Sequence, residues 1–188
     1  MAEGYIARGA AYVRDQQLGN ALTDFDRALQ LNPKSEVAHL DRGGLFYRMK
    51  RYDEALHDFN EAIRLTERDK RPYFGRALTL AKLRHYDDAI KDFTKVIEFD
   101  PKDARAYMAR GTIYERMRLY AKALYDIEQA LSLGDPRAAD YIEEINQLIR
   151  RTSDSYPKPI RVLAKAGLDL EESHLEVIVG YEPDTDDL

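Results

Sequence analysis

The sequence predicts an all-α solenoid of four helical hairpins closed by a capping helix. Three observations lead there. A residue pattern recurs at a constant offset of 34, with units beginning at Ala2, Glu36, Lys70 and Ala104 and no insertion or deletion between them. Within each half unit the apolar residues fall at spacings of three, four and seven, which marks amphipathic helices. Helix breakers punctuate the unit ends: Asn32 with Pro33, Asp100 with Pro101, and Gly134 with Asp135 and Pro136.

The first half of each unit carries bulky residues at its fourth position (Tyr5, His39, Tyr73, Tyr107) and its eleventh (Tyr12, Phe46, Leu80, Tyr114). Its eighth position is small: Gly9, Gly43, Ala77, Gly111. A polar turn near Gln16 to Gly19 and its equivalents follows. The second half answers with Ala21, Ala55, Ala89 and Ala123, then with Phe25, Phe59, Phe93 and Ile127, then with Ala28, Ala62, Val96 and Ala130. Large residues on one helix facing small ones on the next let the two cross closely. The second unit stops more weakly than the others, at Thr66, Glu67 and Arg68. The first helix begins almost at Met1, and its outer side, with Ala7, Ala10 and Ala11, has nothing upstream to pack on. After the fourth unit, Asp135 reads as an N-cap and Pro136 as a first-turn proline. The helix they open, over 136–150, carries an apolar stripe of Ala138, Tyr141, Ile142, Ile145, Leu148 and Ile149. Its other side is charged, as the last element of a repeat array requires.

Over residues 2–137 this order of aromatic, small residue, aromatic, Ala, Phe and Pro resembles the tetratricopeptide repeat. The departures are His39 and Leu80 in aromatic positions, Ile127 for Phe and Glu67 for Pro. The resemblance implies units 2–35, 36–69, 70–103 and 104–137 with the cap at 136–150, wound as a right-handed superhelix whose first helices line the concave side. It also implies a non-catalytic protein-interaction scaffold.

Composition agrees with a soluble domain: 188 residues, 44 % hydrophobic and 34 % charged. No apolar run reaches the roughly 20 residues that span a bilayer, and Met1 to Tyr12 lacks the apolar core of a signal peptide, so membrane insertion is not expected and a cytoplasmic setting is. The absence of cysteine excludes disulfides and thiolate chemistry. A net charge of -5 argues against nucleic acid as a partner. His39, His57, His85 and His174 are scattered, and there is no glycine-rich phosphate loop, so no metal, cofactor or catalytic group is expected. Residues 152–188 hold nine acidic and three basic side chains, for -6, which leaves +1 on the first 151. This acidic extension contains Pro157 and Pro159, a strand-like stretch at 175–181, and a terminal run of Glu182, Asp184, Asp186 and Asp187. Two readings of it stand: a solvated tail with partners of its own, or a segment that docks, partly ordered, in the groove and competes with outside partners.

Two sets of columns carry the functional argument. Arg8, Arg42, Arg76 and Arg110 stand 16 residues before Asp24, Asp58, Asp92 and Asp126. A guanidinium fork suits a carboxylate across a helix pair, so these are expected to be architectural. The candidate peptide-binding groove combines apolar Ile6, Leu40, Tyr47, Phe74, Leu78 and Met108 with basic Arg14, Arg48, Arg71, Lys82, Arg105 and Arg116. Apolar anchors beside cations suit an acidic or amphipathic peptide. The alternative is a structural module that forms homo-oligomers through the array ends or the C-terminal extension. Some tetratricopeptide repeats clamp chaperone tails ending in Glu-Glu-Val-Asp with Lys, Asn and Arg. The corresponding residues here are Ile6, Ala10, Asp41, Arg71 and Gly75, of which only Arg71 fits.

Overall fold

A computed structural model of the chain describes residues 1–66 and 68–153. The extension beyond 153, with the strand expected at 175–181, lies outside the described residues, as does Glu67. Among the described residues every regular element is a helix: α1 (Ala2–Arg14), α2 (Leu18–Leu31), α3 (Glu36–Arg48), α4 (Tyr52–Leu65), α5 (Lys70–Lys82), α6 (Tyr86–Phe99), α7 (Ala104–Arg116), α8 (Tyr120–Ser132) and α9 (Arg137–Ser153). The capping helix expected over 136–150 therefore runs on to Ser153, into the segment assigned to the extension.

Sequence chemistry sets the helix ends. Ser35, Asp69, Asp103 and Asp135 accept hydrogen bonds from the backbone N–H of Ala38, Arg71, Arg105 and Arg137, filling donors that a helix start leaves orphaned. Each first helix closes on one residue in the left-handed region: Gln16, Lys50, Arg84 and Arg118, with φ between 60 and 63°. The next residue's N–H then reaches back to a carbonyl in the last helical turn, as Gln17 does to Tyr12 at 2.8 Å.

Packing is most extensive within the pairs α1–α2, α3–α4, α5–α6 and α7–α8. Consecutive first helices also touch (α1 with α3, α3 with α5, α5 with α7), more than consecutive second helices do. The array therefore curves with its first helices inside. Phe25 and Phe93 are fully buried and Phe59 nearly so. Phe25 and Phe59 need glycine opposite: a Cβ on Gly75 would lie 2.5 Å from the Phe59 ring, and one on Gly9 2.8 Å from Phe25.

The arginine column does more than the sequence suggested. In every unit the arginine Nε and Nη2 donate to both oxygens of the paired aspartate at 2.7–2.9 Å. From the second unit on, Nη1 also crosses to the preceding unit: Arg42 to Asp26 at 2.7 Å, Arg76 to Asn60 at 2.6 Å and Arg110 to Thr94 at 2.8 Å. One side chain thus ties two helices of its own unit to the unit before.

Two expected outcomes follow from this packing. Asp92→Ala, which strands a half-buried Arg76, lowers stability by about 3 kcal/mol in urea unfolding, with any loss of binding tracking the loss of fold. Gly75→Ala costs about 1–3 kcal/mol against the rigid Phe59 ring. The control Gly44→Ala, whose Cβ meets nothing within 4 Å, gains about 0.5–1 kcal/mol from helix propensity.

Candidate functional site

The inner surface is built from α1, α3, α5 and α7. Ile6, Leu40, Tyr47, Phe74 and Leu78 are half-buried on these helices, so each keeps part of an apolar side chain exposed. Their inner parts are committed to the core. Phe74 meets Phe93 edge-on at 5.4 Å and lies under the Arg105 guanidinium at 5.3 Å, while Tyr47 tilts against Tyr52 at 5.9 Å. Met108 is only 8 % exposed and belongs to the cluster around Ile127, so it offers the groove little surface.

The six basic residues divide into two groups. Arg71 and Arg105 are occupied: Arg71 Nε donates to Asp69 at 2.8 Å, and Arg105 Nε and Nη2 donate to Asp103, each aspartate being the N-cap of the same helix. Arg137 repeats the arrangement on Asp135. The signal was in the sequence, as Asp-x-Arg at all three helix starts. Arg14, Arg48, Lys82 and Arg116 instead close the last turns of α1, α3, α5 and α7 and are all exposed. Cations there complement the helix dipole. Arg48 donates to the Val13 carbonyl at 3.0 Å. Arg14, Lys82 and Arg116 make no ion pair among the described residues. The available positive charge therefore forms a row along one edge of the groove, where the first helices end, and the opposite edge is internally neutralised.

The clamp position that carries Asp41 brings an acid to this surface. Asp41 is half-buried one residue from Leu40, and desolvation pushes its carboxyl above the usual value, partly offset by Arg71. Between the starts of α3 and α5 lies a shallow depression lined by Val37, Leu40, Ala62 and Pro72 with Glu36, Thr66, Asp69 and Arg71. Among the described residues there is no cluster of three or more potential metal ligands, and no helix is long and apolar enough to cross a membrane.

Sequence profiles described as tetratricopeptide repeat match residues 2–35 and 37–69, 71–103, and 104–133. Solved structures are similar as well. One titled MamA RS-1 double mutant aligns with a TM-score of 0.72 at 18 % identity, covering 80 % of this chain and 84 % of that one. The tetratricopeptide domain of OM64 from Arabidopsis aligns at 0.58 with 27 % identity over 60 % of this chain and 95 % of that one. The first such domain of Spaghetti (RPAP3), bound to the HSP90 peptide SRMEEVD, aligns at 0.59 with 19 % identity over 61 % and 93 %. No curated protein matches the chain.

Because Phe74 spans groove and core, Phe74→Ala should lower the thermal midpoint as well as any groove affinity. Arg14→Ala, Lys82→Ala and Arg116→Ala should leave the midpoint and the helical circular dichroism unchanged.

Proposed function

Since profiles of its repeat cover most of its length, the chain belongs to the tetratricopeptide repeat family, and from that premise we propose that it is a protein-interaction scaffold whose concave groove takes an acidic, amphipathic peptide segment. Proteins of this family are generally non-catalytic scaffolds. In the proposed arrangement, four hairpins and a cap wind as a right-handed superhelix around the ligand. The observation that carries the reading is the row of exposed, unpaired Arg14, Lys82 and Arg116 beside the half-buried apolar side chains of the same helices. A ligand with one apolar and one acidic side would lay the first on Leu40, Tyr47 and Leu78 and turn the second to the row. Long-range attraction then speeds encounter, and apolar burial slows escape.

The peptide-bound neighbour holds SRMEEVD, yet the clamp positions of this chain carry Ile6, Ala10, Asp41 and Gly75. Asp41 in particular would face the ligand's carboxylates, so a chaperone tail does not suit these positions.

One observation favours the second reading, self-assembly. Arg8 is 58 % exposed, against 14–25 % for its three counterparts. Its Nη1, the arm that elsewhere crosses between units, makes no hydrogen bond among the described residues. Small residues Gly4 and Ala7 lie exposed on the same helix.

A fluorescein-labelled helical peptide with Leu on one face and Glu on the other is a direct probe. The triple variant Arg14→Ala, Lys82→Ala, Arg116→Ala should bind it about tenfold more weakly at low salt, three rim charges at about 0.5 kcal/mol each, with the difference shrinking as salt rises. Equal binding at all salt concentrations moves the site off the groove. Light scattering over a concentration series tests the second reading, which a constant monomer mass eliminates for this chain alone.

A further inference from the structure

The second unit departs from the other three at two positions that meet at one joint. Where Tyr5, Tyr73 and Tyr107 stand, it has His39, and the group that receives its crossing arginine arm is Asp26, where the later joints have Asn60 and Thr94. His39 is 7 % exposed, and both its ring nitrogens are engaged: Nδ1 lies 2.9 Å from Asp58 Oδ1 and Nε2 lies 3.1 Å from the Pro33 carbonyl. An ionised carboxylate and a backbone carbonyl only accept. A neutral imidazole carries one N–H and can serve one of them, whereas the imidazolium donates to both.

Charge balance points the same way. Arg42 donates to Asp58 through Nε and Nη2 and to Asp26 through Nη1. With His39 protonated, two cations face two carboxylates. With His39 neutral, the cluster carries a net negative charge, shared between inaccessible Asp58 and Asp26, whose side chain is 45 % exposed. The joints at Arg76 and Arg110, with one arginine, one aspartate, a neutral acceptor and a tyrosine, are balanced as they stand. The groups facing His39 are Asp58 and Glu61 from α4, Asp26 from α2 by way of Arg42, and Arg42 on α3 itself. The bond to Asp58 raises the imidazole above its ordinary value of 6.5, outweighing the opposite effect of burial, and the Pro33 carbonyl adds to it.

We propose that His39 is a proton-dependent latch between the first two units: as an imidazolium it ties the Pro33 loop to Asp58, and loss of its proton releases one of those bonds and leaves Asp26, Arg42 and Asp58 with an uncompensated negative charge. His39 precedes Leu40 and Asp41 on α3, so the latch acts on the joint between the first two helices of the groove. The sign follows from the raised folded value: stability from the latch is full below pH 6.5 and is lost as pH rises through the folded value.

Long-range nitrogen–proton correlation spectra of the full chain read the ring directly, with His39 assigned by its disappearance in His39→Tyr, or in His39→Gln should the tyrosine variant fold poorly. The proposal expects both ring nitrogens protonated at pH 6.5 and a midpoint above it. It expects Asp26→Asn to move that midpoint down, because Arg42 then acts on His39 without its second counter-ion. It also expects the urea midpoint of the natural chain to fall relative to His39→Tyr as pH rises through the His39 midpoint. A His39 midpoint at or below 6.5, or one that Asp26→Asn leaves unmoved, overturns the latch.

Discussion

The structure depends on a guanidinium fork closing on a buried carboxylate. Asp58 and Asp126 are essentially inaccessible, and Asp24 and Asp92 nearly so. Four ionised groups at such depth are tolerable only because each has a bidentate partner that satisfies both oxygens. Burial makes the geometry strict: an aspartate that cannot leave its arginine fixes the distance between the two helices of a unit. The arginine's remaining arm then fixes the distance to the unit before. Hydrophobic packing supplies most of the driving force, but it tolerates sliding more readily than a three-pronged hydrogen-bond fork does. The regular stacking of the first helices, and hence the groove, follows from the fork.

That division of labour explains why the groove edges differ. The helix starts on one edge are crowded by caps, and Asp69, Asp103 and Asp135 each hold an arginine two residues on. Asp100 and Asp103, at the end of the third unit, also receive the ammonium of Lys70 from its start. Charge on that edge is spent on the caps and on the link from the start of α5 to the cap of α7. At the helix ends on the other edge, the chain needs only a cation to complement the dipole, so Arg14, Lys82 and Arg116 remain exposed and make no ion pair among the described residues.

Much of this was legible in the sequence. The offset of 34 set four helix starts to the residue, and the spacing of 16 between Arg8 and Asp24 identified the ion pair before any coordinates. Repetition does this by averaging: a feature present four times is separated from accidents of any single unit. The same averaging hid what differs between units. Arg71 and Arg105 read as groove cations because a column shows residue type, not which neighbour has already claimed the charge. Met108 read as a groove residue from its column, although the packing around Ile127 buries it. The Nη1 contacts escaped notice because their acceptors, Asp26, Asn60 and Thr94, share no residue type, only the capacity to accept.

The end of the array shows the fork from the other side. The capping aspartates fall at 69, 103 and 135, so the last interval is two residues shorter than the period. Counted from that cap, the buried Ala138 and Ile145 of α9 take the places of Ala106 and Ile113 on α7. The helix therefore docks on α8 as another first helix. What it lacks is the fork: Ile142 stands where the arginine would. Tyr141 takes a place that is small in the earlier units, Asp41, Gly75 and Ala109, and packs against the cluster of Ile127, the one position in its column without a phenylalanine. Bulk has moved from one helix to the other with the contact retained. An apolar residue in the arginine position leaves α9 without the guanidinium by which each earlier first helix grips the second helix of its own unit.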